Sequence, residues 1–188
     1  MTTKALLLCI LAMACVVDVR SVSGEVVKRL EFSSPDKRWQ VVAEWEPNHH
    51  GYLFELHDLS NGKTYFKQKA VGDHEILPYR FNANWSPGGR YVAINLHYGR
   101  ICQGVVVIDV SGKEPAECPL HLVEKALIPP ELALIMVATE WVNETDLAFE
   151  AYLPYTLPRK SGDIDSCSLI VRMDRTKPTV IKKVEHRE

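Results

Sequence analysis

A short turn bounded by an aromatic residue recurs along this chain at intervals of about 50 residues, and that interval most constrains the fold. The best-formed copy is Trp85-Ser86-Pro87-Gly88-Gly89-Arg90, which feeds Tyr91-Val92-Ala93-Ile94-Asn95-Leu96. Pro87 sets φ for the second position of a tight turn, and the two glycines permit the positive φ that follows. Beyond the turn, Val92, Ile94 and Leu96 alternate with Tyr91, Ala93 and Asn95, which predicts a strand buried over most of its surface. The first copy is Phe32-Ser33-Ser34-Pro35-Asp36-Lys37-Arg38-Trp39, ahead of the apolar Val41-Val42-Ala43-Glu44-Trp45. The third, Trp141-Val142-Asn143-Glu144-Thr145-Asp146, keeps the tryptophan and loses the Ser-Pro pair.

Each unit then returns through a second strand ending at an aspartate: Asp58, Asp109 and, by spacing, Asp174. A further turn follows, the strongest being Ser60-Asn61-Gly62-Lys63, because Asn-Gly suits the type I′ hairpin. The units span about 27–69, 81–122 and 137–184 of one domain, 24–188. The segment from Glu124 to Val137 is the one helix candidate, with Pro130 suited to the first turn of Glu131–Met136, and reads rather better as a loop running into a strand near Leu134–Val137.

The chain of 188 residues is 46% hydrophobic and 24% charged, a globular balance, and its net charge of −2 offers no electrostatic case for nucleic acid. Lys4 followed by the uncharged run Ala5–Val17 reads as a secretory leader, 1–23, with Ser21-Val22-Ser23 before the cut. That run is short of the ~20 apolar residues of a membrane span. A mature chain without a transmembrane span, secreted or periplasmic, is the expectation; lipid anchoring at Cys15 fits less well, because Leu11 sits one place too far from it. Export permits a disulfide among Cys102, Cys118 and Cys167, and Cys102–Cys118 is the first choice of three pairings, against three free thiols.

The residues Trp85-Ser86-Pro87-Gly88-Gly89-Arg90-Tyr91, followed by Val107-Ile108-Asp109-Val110, resemble the WD-like repeat of TolB-type β-propellers. Ser34-Pro35-Asp36 and Leu56-His57-Asp58-Leu59-Ser60-Asn61-Gly62 match the same pattern. The resemblance implies an all-β fold of antiparallel blade-like sheets, a partial or small β-propeller-like repeat. It implies no single function, since propellers carry many. Three units fall short of the four to eight blades that usually close a ring, so a homo-oligomer that completes the ring is one expectation.

No motif here names a reaction. Gly-x-Ser-x-Gly and Walker loops are absent from the sequence. His49 and His50, near His57, form the densest histidine group, but a solvated loop explains them better than a metal site. Asp73-His74-Glu75 could supply acid–base chemistry, with no other group assembled around it. The loop Tyr152-Leu153-Pro154-Tyr155-Thr156-Leu157-Pro158-Arg159 joins aromatic surface to stiffness, which suits recognition. The reading is therefore an exported, non-enzymatic module without metal or cofactor. Its loops 46–51, 97–103 and 152–159 would take a protein or glycan partner in the cell envelope, with His49, His50, Tyr152, Tyr155 and Arg159 as candidate binding residues. A self-associating structural subunit and, third, a hydrolase using Asp73-His74-Glu75 are the alternatives.

Overall fold

A computed structural model describes residues 16–22, 25–46, 51–71, 82–98, 102–123, 135–152 and 164–187. They build three antiparallel sheets in chain order. The first runs β1 (Val16–Val22), β2 (Glu25–Ser33), β3 (Trp39–Glu46), β4 (Gly51–Asp58), β5 (Lys63–Val71). The second runs β6 (Asn82–Trp85), β7 (Tyr91–Tyr98), β8 (Cys102–Asp109), β9 (Ala116–Glu117). The third runs β10 (Ile135–Trp141), β11 (Asp146–Tyr152), β12 (Ile164–Arg172), β13 (Thr179–Arg187). These are the blade-like units the turns predict, and together they make a partial β-propeller-like repeat. Residues 16–22, inside the stretch read as a leader, pair with β2 as β1; residues 1–15 lie outside the described residues. Among the described residues no helix is long and apolar enough to cross a membrane.

The Ser-Pro turns form as their residues dictate. Ser34 N–H donates to Trp39 O at 2.8 Å, and Trp39 N–H donates to Ser34 Oγ at 2.9 Å. Ser86 makes the same two bonds with Tyr91, at 2.8 and 3.1 Å. The fourth residue of each turn takes the left-handed conformation, Lys37 at φ 57° and Gly89 at φ 76°. The worn third turn closes differently. Asn143 Oδ1 accepts the N–H groups of Thr145 and Asp146, each at 2.9 Å, so an asparagine turn replaces Ser-Pro.

Stacking follows from β7, in which Tyr91, Val92, Ala93, Ile94, Asn95 and Leu96 are all buried. Val92, Ile94 and Leu96 join Val41, Phe54 and Leu56 in a core between the first and second sheets. Tyr91 and Ala93 join Leu147, Phe149 and Leu169 in a core between the second and third. A sheet sandwiched on both faces needs apolar residues at consecutive positions, which explains the near-continuous hydrophobic run.

The tryptophans repeat one contact. Trp85 Nε1 donates to Phe32 O at 3.0 Å, and Trp141 Nε1 donates to Asn84 O, also at 3.0 Å. Phe32 and Asn84 hold equivalent places, each one residue before the end of its sheet's first repeat strand. Each tryptophan thus ties its sheet to the preceding one. The equivalent place in the first sheet is the exposed Ser33.

The third unit departs from the expected grammar. Leu59, Val110 and Met173 make equivalent backbone bonds, to Arg38, Arg90 and Thr145. Asp58 and Asp109 therefore match Arg172, and Asp174 lies two places further on. In the first two sheets an arginine just before the second repeat strand meets a strand-ending aspartate: Arg38–Asp58 at 3.4 Å and Arg90–Asp109 at 3.1 Å. In the third an ion pair of reversed polarity joins Asp146, one place past the arginines' equivalent Thr145, to Arg172 at the strand end, 2.9 Å apart.

Candidate functional site

Antiparallel order sends the turns that follow β2, β4, β6, β8, β10 and β12 to one end of the sheets. The turns 34–38, 59–62, 86–90, 110–115, 142–145 and 173–178 lie there. The connections 47–50, 72–81, 99–101, 118–134 and 153–163 leave from the opposite end. The two ends are built for different work.

At the turn end, side chains are committed to holding the backbone. Asp36 Oδ1 accepts from Ser34 Oγ at 2.6 Å and from Arg38 N–H at 3.1 Å. The second turn has Gly88 where the first has Asp36. There Glu144, from the third sheet's turn, supplies the carboxylate. It accepts from Ser86 Oγ at 2.8 Å, from Arg90 N–H at 3.3 Å and from Gly88 N–H. A Cβ on Gly88 would lie 2.7 Å from Glu144 Oε2, so glycine here makes room for the neighbour's side chain. Arg175 of the third sheet reaches the second in the same direction and donates to Glu114 O at 3.0 Å.

The charges at this end are tuned by those contacts. The Arg172 guanidinium and the Asn143 amide hold Asp146 down at about 2. The Thr176 hydroxyl and two backbone N–H groups do the same for Asp174, also about 2. Asp109 is lowered because the Ser111 and Arg90 bonds together outweigh the opposing effect of burial. A carboxyl depressed on folding contributes stability that is present above its unfolded value, near 3.8, and lost as pH falls through its folded value. The melting temperature should therefore fall steeply below about pH 4. Asp146→Asn should lower it at neutral pH and flatten that acid limb, as read by circular dichroism from pH 7 to 2; an unaltered limb would contradict the assignment.

Of the binding residues expected from sequence, His49, His50, Tyr155 and Arg159 lie outside the described residues, as do Asp73, His74 and Glu75. Tyr152 ends β11 with 38% of its surface exposed, aligned with Ile135 and Ser166 across the third sheet. His57 Nε2 lies 3.0 Å from Glu55 and its Nδ1 3.1 Å from Thr64. Among the described residues no three or more His, Cys, Asp or Glu side chains are placed to share a metal ion.

The expected Cys102–Cys118 disulfide is corrected by the strand geometry. Cys118 sits beside Val107, its N–H 2.7 Å from Val107 O, whereas Cys102 opens β8 at the other end. Five strand residues span roughly 16 Å at the usual rise, far beyond the ~6 Å that a bridge allows between Cα atoms. Cys118 and Cys167 are free and buried. Burial pushes Cys118 up to about 12 and raises Cys167, so both are protonated at neutral pH and neither is a ready nucleophile. Sequence spacing could not see this, because it does not say where along β8 the return strand ends.

No family model matches the sequence, and no curated protein matches it. Among solved structures the chain is similar to one described as "putative TolB from Agrobacterium tumefaciens", at 12% identity and a TM-score of 0.38. The match covers 88% of this chain and 60% of that one, so this chain spans less than two thirds of the other's length. Likeness at this level carries nothing about activity or partners.

Proposed function

We propose that the chain is a non-enzymatic binding module, exported to the cell envelope, which recognises a protein or glycan partner with the long-connection end of its sheets. The observation that carries the reading is the asymmetry of the two ends. Turn-end carboxylates such as Asp36, Asp109, Asp146 and Glu144 are occupied by backbone and neighbouring side chains. The opposite end sends out the three longest connections, 72–81, 118–134 and 153–163, together with 47–50 and 99–101, and loops carried on a β scaffold commonly bear recognition. We take His49, His50, Tyr152, Tyr155 and Arg159 as the binding residues of this reading.

The test is photo-crosslinking in envelope extract, with the crosslinker placed at His49 or Tyr155 in one set and at Lys37 or Lys113 in the turn end in another. Adducts confined to the first set are expected, with those from His49 abolished by alanine at Tyr155 and Arg159. Adducts equal at both ends would overturn the reading.

Self-association is the second reading. It is favoured by the outer side of the third sheet, where Ile135 and Val137 are half-buried and Val184 is 42% exposed with no facing sheet among the described residues. Sedimentation at several concentrations separates the two.

A further inference from the structure

The chain has one Asn-Gly pair, Asn61-Gly62, in the turn between β4 and β5, and both residues are exposed. Asparagine followed by glycine is the order most open to deamidation, because no side chain shields the glycine nitrogen from the asparagine amide carbon. A Cβ on Gly62 would meet nothing within 4 Å, so the turn leaves room for a ring to close there.

The native turn engages every group that would react. Gly62 N–H donates to Asp58 O at 2.8 Å, which holds the attacking nitrogen in another bond. Asn61 Oδ1 accepts from Lys63 N–H at 2.8 Å, and Asn61 Nδ2 donates to Asp58 Oδ2 at 3.2 Å. Both ends of the side-chain amide are thereby fixed. These bonds must break before Gly62 N can reach Asn61 Cγ.

The partner of that amide is a buried charge. Asp58 is 1% exposed and accepts from Ser60 Oγ at 2.5 Å, Ser60 N–H at 2.9 Å and Arg38 Nη2 at 3.4 Å. The Ser60 hydroxyl leads the contacts that hold its carboxyl below the usual range, so it is ionised at neutral pH. A carboxylate at position 61 would keep an acceptor for Lys63 N–H. It would replace the Nδ2 donor with a second negative charge facing Asp58.

We propose that Asn61 is a self-modification site, which deamidates through Gly62 when the hairpin of β4 and β5 opens and cannot afterwards close the turn in its native form. The Gly62 nitrogen bonds to Asn61 Cγ, and Nδ2 leaves as ammonia, taking the proton that the nitrogen loses. Water then opens the succinimide. Cleavage between the nitrogen and Cγ gives aspartate; cleavage between the nitrogen and the main-chain carbonyl carbon gives isoaspartate, whose backbone is one carbon longer. Water is the only co-reactant, and nothing is oxidised or reduced. The site lies at the turn end and stands whether or not the long connections bind a partner.

The test incubates the full chain beside the acetylated, amidated peptide Leu59-Ser60-Asn61-Gly62-Lys63-Thr64 at pH 7. Peptide mapping by mass spectrometry follows loss of the amide and separates aspartate from isoaspartate. Asn61 should convert at least about tenfold more slowly in the chain than in the peptide. Urea below the unfolding midpoint should raise the rate in the chain and leave that of the peptide unchanged. Asn61→Asp should lower the melting temperature by roughly 5 °C, and Asn61→Ala, which loses the donor without adding a charge, should lower it less. The rate comparison uses the native chain and needs no variant to fold. Three results overturn the proposal: conversion in the chain at the rate of the peptide, since the turn then restrains nothing; no conversion in the chain at any urea concentration below the midpoint, since the site is then inert; or equal melting temperatures for Asn61→Asp and the native chain, since the turn then accepts the product.

Discussion

Asn95→Ala should lower the unfolding free energy by about 3 kcal/mol. Asn95 lies on β7 and is 6% exposed. Its Nδ2 donates to Ala138 O at 2.8 Å, and its Oδ1 accepts from Ala138 N–H at 2.9 Å. The amide thus pairs with the backbone of the next sheet much as a strand would. It does so where the register of β10 on β11 shifts, between Ala138 and Glu140. Alanine would leave a buried N–H and a buried C=O without partners, each costing about 1–3 kcal/mol. In a chain of this length the loss should lower the melting temperature by roughly 10 °C. Asn95→Asp sharpens the assignment. A carboxylate can accept from Ala138 N–H but has nothing to donate to Ala138 O. That variant should be at least as unstable as the alanine variant at neutral pH, and should regain stability when acid protonates the new side chain. Urea unfolding at pH 7 and pH 4 reads both effects. A loss under about 1 kcal/mol for Asn95→Ala would mean that the amide is replaceable by water.

Glu144→Ala and Gly88→Asp should each destabilise the protein, and together they should do less harm than either alone. Glu144→Ala removes the acceptor for Ser86 Oγ and Gly88 N–H, a loss of about 2 kcal/mol for bonds to a charged group. Gly88→Asp places a Cβ 2.7 Å from Glu144 Oε2 and sets two carboxylates against each other. In the double variant the clash is gone, and the new aspartate stands where Asp36 stands in the first turn, with Ser86 and Arg90 placed as Ser34 and Arg38 are. The cycle should therefore show a favourable coupling of more than about 1 kcal/mol. Simple additivity of the two losses would mean that Glu144 does not stand in for the missing turn residue.

The all-β class, the three units and the turn positions were legible because each depends on neighbours in sequence. Ser34-Pro35 and Ser86-Pro87 close their turns through bonds that span five residues. The alternation in Tyr91–Leu96 marks a strand wherever that strand is placed. The third unit is less legible. Spacing alone matches Asp174 to Asp58 and Asp109, and the reversed polarity of the Asp146–Arg172 pair hides the equivalence of Arg172 to those aspartates. The end of β9 just before Pro119 is legible, since proline cannot extend a ladder, whereas its register on β8 is not.

The amino-acid order by itself determined what each segment becomes: turn, strand, and the period that repeats them. Only the tertiary structure decided which sheet face meets which. It brought Glu144 to a turn 58 positions away, Asn95 to a backbone 43 positions away, and kept Cys118 far from Cys102. The physical reason is range. Dihedral preferences and alternation act between adjacent residues, whereas these contacts arise from how three preformed sheets stack their apolar faces, a choice that no local pattern encodes.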